Sequence, residues 1–164
     1  MVDDIDNHVD GPARKGPAWA DVAMLATAFR QAVEMAHVQL VAEGHPEARP
    51  AHGFALQAIG AGSTAGEVAG RLGVSKQAAA KTIAGLESAG YVARGSDVRD
   101  GRRRLVVPTE RGRDLLERSA EAFETVLADW SRSVGEREMA ASFATLRAAV
   151  GDERLRVDLA SWAG

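Results

Sequence analysis

Residues 74–109, VSKQAAAKTIAGLESAGYVARGSDVRDGRRRLVVPT, carry the strongest fold signals of the chain. The first part opens on Ser75, a good N-cap, runs through Leu86 without a proline and stops at Gly90, which marks a helix. The second part holds two β-favouring runs, YVAR and RRLVVP, on either side of GSDVRDG, which marks a two-stranded ribbon with Asp100-Gly101 in its turn. Four arginines (Arg99, Arg102, Arg103 and Arg104) crowd that turn, and Pro108 ends the second strand just before Thr109, the cap of a further helix.

Working backwards, STAGEVAGRLG (63–73) opens with a capping box from Thr64 to Glu67 and ends at Gly73, with Val68, Ala69 and Leu72 facing inward. The two helices meet across Gly73-Val74-Ser75, a tight turn of glycine, apolar residue and capping serine suited to a helix-turn-helix corner. At about 100° per residue, Ala79, Ile83 and Leu86 share one side of the second helix. Gln77, Lys81, Ala84 and Ser88 lie opposite, flanked by Ala78, Ala80 and Gly85. This outward face is small and carries no acid, as a surface approaching base edges requires. Gln77 has the amide that pairs with adenine, and Lys81 reaches guanine or a phosphate. Ser75, Lys76 and the backbone amides of the helix start suit phosphate, and Thr64, the cap of the preceding helix, joins these candidates. Three alanines are also simply good helix formers, so the face alone leaves both readings open.

The arginine-tipped ribbon directly after the helix favours the DNA reading, and charge points to a partner as well. Residues 71–113 hold ten Lys/Arg against four Asp/Glu, net +6, leaving −9 for the rest of a chain whose total is −3. One basic segment in an acidic chain signals an anionic partner. A lack of cysteine excludes disulfides, thiolate zinc sites and thiol redox sensing. His8, His37, His45 and His52 show no metal-ligand spacing, so surface or packing roles are expected, with no cofactor. The acidic N-terminus does not look like a secretory signal and no apolar run is long enough to span a bilayer, so a soluble cytoplasmic protein without membrane contact is expected.

The flanks are helical. Residues 1–17, with Gly11-Pro12 and Gly16-Pro17, are expected to be a disordered arm. From Trp19 a stripe of Val22, Ala26, Phe29, Val33, Ala36 and Leu40 predicts a long helix ending near Gly44. FALQAI (54–59) fits a short helix or a buried strand. After Thr109, Leu116, Phe123, Leu127, Trp130 and Val134 stripe a helix of about 25 residues, followed by another from Glu136 with Met139, Phe143, Leu146 and Val150, then Leu155, Leu159 and Trp162. Such long apolar seams pack on other helices, those of a second copy or one another. Trp19 and Trp130 are expected to be packing anchors.

The combination of helix-turn-helix and arginine wing resembles the MarR family of bacterial transcription regulators, whose wing pattern D-x-R-x-x-x-V-x-L-T-x-x-G is matched here by Asp100, Arg102, Val106, Thr109 and Gly112. LESAGYVAR similarly matches L-E-x-x-G-x-[VI]-x-R through Leu86, Glu87, Gly90, Val92 and Arg94. The resemblance spans roughly residues 19–150. Pro108 departs from it where the family has an apolar residue, Lys81 stands where many members have arginine, and Ala80 where they often have serine.

The resemblance implies a mainly α fold with a small β-ribbon. Residues 46–114 would form a winged helix-turn-helix, and residues 18–45 and 115–164 would form dimerisation helices. It implies a homodimeric repressor binding double-stranded DNA at a pseudo-palindromic operator and released by a small aromatic or phenolic effector. Arg102, oriented by Asp100, would enter the minor groove. Arg99 would be a second contact there, and Arg103 would reach the backbone. Phe29, Val33, His37 and Phe54 are candidates for lining an effector pocket, although as side chains they read better as core. The rival reading is a winged helix that only binds protein. An enzyme is not expected: Gly60-x-Gly62-x-x-x-Gly66 misses both the dinucleotide spacing and the phosphate-loop lysine, and no catalytic set accompanies it.

Overall fold

The computed structural model describes residues 16–96 and 104–151. The chain divides into two units, Met1–Gln31 and Ala32–Gly164. Expectations about the arm up to residue 15, the ribbon tip with Arg99, Asp100, Arg102 and Arg103, and Leu155, Leu159 and Trp162 lie outside the described residues. The element order is α1 (Ala18–Ala42), α2 (Pro50–Ile59), α3 (Ala65–Leu72), α4 (Lys76–Ser88), β1 (Val92–Ser96), β2 (Arg104–Pro108), α5 (Glu110–Val134) and α6 (Glu136–Val150). The fold is mainly helical with a small antiparallel ribbon.

In the first unit α1 begins with its large apolar residues outside. Trp19, expected as a packing anchor, is 71% exposed, and Val22 is 67% exposed. A single stretch of helix has no core of its own into which an indole can turn. In the second unit the C-terminal half of α1 buries Val33, Ala36 and Leu40, while Met35, Val38 and Val41 stay exposed.

The 54–59 segment is helical. Pro50 occupies the first turn, where its missing N–H costs nothing, and the His52 Nδ1 accepts from the Arg49 backbone amide at 3.2 Å. The capping box at Thr64 is formed, with Glu67 taking the Thr64 amide at 2.8 Å, and Gly73 closes α3 in the left-handed conformation at φ 70°. Ser75 accepts from the Ala78 amide at 3.1 Å to start α4. α2, α3 and α4 enclose one core around Leu56, Ile59, Val68, Ile83, Leu86 and Tyr91.

β1 and β2 pair antiparallel from Val92↔Pro108 to Ser96↔Arg104. A third strand only one residue long joins them. Ser63 exchanges backbone hydrogen bonds with Val106 at 3.0 and 2.8 Å. Nothing in the sequence marks it, because one residue has no alternation.

α5 spans the expected length, but its buried line is Gly112, Leu115, Ser119, Ala122 and Val126. The expected stripe is displaced: Leu116, Phe123, Leu127 and Trp130 are half-buried, and Val134 is exposed. Close packing is the reason. A Cβ on Gly53 of α2 would lie 3.1 Å from Ser119 Oγ, so small side chains occupy the crossing and large ones flank it. No residue of α6 is buried.

Candidate nucleic-acid interface

The corner between α3 and α4 is built from its backbone outward. The amides of Gly73 and Val74 both bond to the Ala69 carbonyl, and Val74 packs against the core. This aims α4 with Ala79, Ile83 and Leu86 inward. Its other face exposes Lys76, Gln77, Ala80, Lys81, Ala84 and Ser88, with Ala78 and Thr82 half-buried beside them. The single acid of α4, Glu87, is turned to the ribbon. It holds Arg94 of β1 through two bonds of 2.7 and 2.9 Å, and the guanidinium keeps its carboxyl below the ordinary value. The face is therefore small, polar and cationic.

Of the sequence-predicted contacts, Ser75, Lys76, Gln77 and Lys81 share this exposed side of α4 and Ala78 borders it. Thr64 is half-buried and committed to its cap. Arg99, Asp100, Arg102 and Arg103 fall between the described ends of β1 and β2, so α4 and the ribbon's base are what the structure describes of the surface.

Sequence reasoning missed how the ribbon is held. Arg71 of α3 donates through Nη1 to the Ala58 carbonyl and to Ser63 Oγ, each at 2.6 Å. At the other end Thr109 donates to the Gly90 carbonyl at 2.7 Å and accepts from the Gly112 amide at 3.1 Å.

A second feature lies between the C-terminal half of α1, α2 and α5. A cleft of about 80 Å³ is lined there by Val33, His37, Arg49, Phe54, Gln57 and Phe123, among others. Three of the four residues expected around a pocket, Val33, His37 and Phe54, border it. Phe29 is exposed and belongs to the first unit. His37 Nδ1 is buried without a hydrogen-bond partner among the described residues. Nearby, His45 is 2% exposed and bonds through Nε2 to Asp114 at 2.9 Å, while the ring of His52 packs edge-on against Tyr91. Both are packing histidines. Among the described residues no group of three or more His, Asp or Glu is placed to hold a metal, and no helix is long and apolar enough to cross a membrane.

The sequence model of the MarR family matches residues 50–103, from the first turn of α2 into the connection between the strands. This segment is similar to the MarR family over about a third of the chain. Solved structures extend the likeness in fold. MarR of E. coli, in its apo form, is 18% identical, with a TM-score of 0.65, over 84% of this chain and 100% of that one. CouR of Rhodococcus jostii RHA1, solved bound to p-coumaroyl-CoA, is 19% identical, with a TM-score of 0.63, over 87% and 100%. BpsR of Bordetella bronchiseptica, whose DNA binding is regulated by 6-hydroxynicotinic acid, is 19% identical, with a TM-score of 0.61, over 80% and 99%. Comparison with curated proteins returns no match. The chain thus has the fold of these MarR-type structures.

Proposed function

We propose that this chain is a sequence-specific, double-stranded DNA-binding regulator of transcription, acting in the cytoplasm as a homodimeric repressor on a pseudo-palindromic operator. The observation that carries the reading is the exposed face of α4, cationic and acid-free, beside a ribbon whose connection holds Arg99, Arg102 and Arg103. α4 enters the major groove, where Gln77 and Lys81 read base edges and Ala78 permits close approach. Thr64, Ser75 and Lys76 stand at helix starts that bind phosphate. Arg102, oriented by Asp100, enters the minor groove with Arg99, and Arg103 meets the backbone.

Residues 46–114 act as the winged helix-turn-helix, and residues 18–45 and 115–164 pair two copies. Exposed Trp19, Val22, Val38 and Val150 support that pairing, because a stable monomer seldom leaves so many large apolar side chains on its helices in water. Two-fold symmetry then sets the half-site arrangement. The cleft beside Val33, His37 and Phe54 is proposed as the effector site. The 6-hydroxynicotinic acid named for BpsR supports a small aromatic effector as its occupant, and the p-coumaroyl-CoA named for CouR carries an aromatic acyl group on a much larger thioester.

Selection of duplexes from a random pool by the purified protein tests the reading. Enrichment of an inverted repeat supports it. No retained duplex at low salt would remove it in favour of a winged helix that binds protein.

A further inference from the structure

One row of residues crosses the ribbon at a single level. Ser63 pairs with Val106 of β2, and Val106 pairs in register with Arg94 of β1. Both ends of that row are tied back to the helix pair. Arg94 is gripped by Glu87 near the end of α4. Ser63 is gripped by Arg71, the penultimate residue of α3, which reaches the Ala58 carbonyl as well. Ser63 Oγ in turn donates to the Ile59 carbonyl at 2.8 Å, and the residue is 1% exposed. The circuit from α3 through the ribbon to α4 is therefore closed.

The geometry points to Arg71 and Ser63 as positioning residues that fix the angle between the ribbon and α4, and so let one molecule engage both grooves at once. The inference rests on the DNA-binding reading above and assigns these two residues no contact with DNA. Three physical features support it. A guanidinium is a rigid fork that orients what it binds, unlike a flexible ammonium. Its two acceptors belong to the end of α2 and to the strand residue, so one side chain sets both. The Ser63 backbone bonds directly to β2, so displacement of Ser63 displaces the strand. A ribbon held only by its own two-stranded ladder is marginal in water and free to swing about its base.

The test uses the full chain and the duplex that wild type selects from a random pool. Arg71→Ala, Ser63→Ala and the double variant are compared for affinity, for protection of the minor groove from hydroxyl radicals and for protection of guanine N7 in the major groove from dimethyl sulfate. Each single variant is expected to lose about tenfold in affinity, the worth of a charge-assisted hydrogen bond. Minor-groove protection falls while major-groove protection over α4 remains. The double variant is no weaker than Arg71→Ala, because the two residues form one path. Wild-type protection in both single variants, or losses that add, would overturn the inference. So would an Arg71→Lys variant that binds like wild type while Arg71→Ala lowers the salt slope by about one, the signature of a phosphate contact. Arg71 is exposed, so its replacement is not expected to unfold the domain. If wild type binds no duplex, the DNA reading fails, and amide exchange at Val106 in the free protein still decides the clamp. Faster exchange in Arg71→Ala at unchanged global stability supports it, and unchanged exchange overturns it.

Discussion

A Cβ placed on Gly112 would overlap the backbone carbonyl oxygen of Tyr91. The first turn of α5 therefore lies directly on the chain entering β1, and only a residue without a side chain fits there. Gly112→Ala forces one backbone from the other. Overpacking of this kind costs about 1–3 kcal/mol, which urea denaturation of the full chain will read. Thr109→Val, which removes the cap but leaves the contact, is expected to cost about 1 kcal/mol.

The proposed contacts with DNA separate by groove. Arg102→Ala is expected to weaken operator binding by about 1–3 kcal/mol without altering the bases preferred under α4, whereas Gln77→Ala or Lys81→Ala changes that preference. Fluorescence anisotropy on the selected duplex and its single-base variants measures both. Log affinity should fall steeply and linearly with log salt, at about 0.9 per neutralised phosphate.

His52 makes stability depend on pH. Burial, with Arg49 and His37 nearby, lowers its pKa from 6.5 to about 4, and its Nδ1 is already used as an acceptor. Between those values the unfolded chain binds a proton that the folded chain refuses. The contribution of His52 is complete above pH 6.5 and is lost progressively as pH falls toward 4. Denaturation midpoints at pH 7.5 and pH 5 should differ accordingly. His52→Gln keeps an acceptor for the Arg49 amide and is expected to flatten that part of the profile.

Val38 is 70% exposed, on the side of α1 opposite Val33 and Leu40. Val38→Glu should yield a monomer by light scattering with its helical circular dichroism retained, because the substitution burdens only a surface that pairing would cover. A wild-type monomer at micromolar concentration would remove the homodimer.

Local signals were legible in the sequence. Thr64, Ser75 and Thr109 cap where they should, because a cap depends on residues within one helical turn. Glu87 and Arg94 stood out as part of a motif, and the structure supplies the reason in their two-bond pairing. What escaped was set by tertiary approach. The buried line of α5 follows Gly112, Ser119 and Ala122, whose smallness permits close crossing, and a stripe drawn through large residues falls beside it. Ser63 is a strand only because Val106 lies next to it. Arg71 looked like one more cation in a basic segment, and only its acceptors distinguish it.

The Thr109 hydroxyl serves two helices at once. It donates to Gly90, just beyond the end of α4, and accepts from Gly112 in the first turn of α5. α4 and α5 thus share an oxygen atom. A roll of α5 about its axis must either carry the tail of α4 with it or break that bond. Any tilt of the 25-residue α5 would therefore load the tail of α4 through that one hydroxyl.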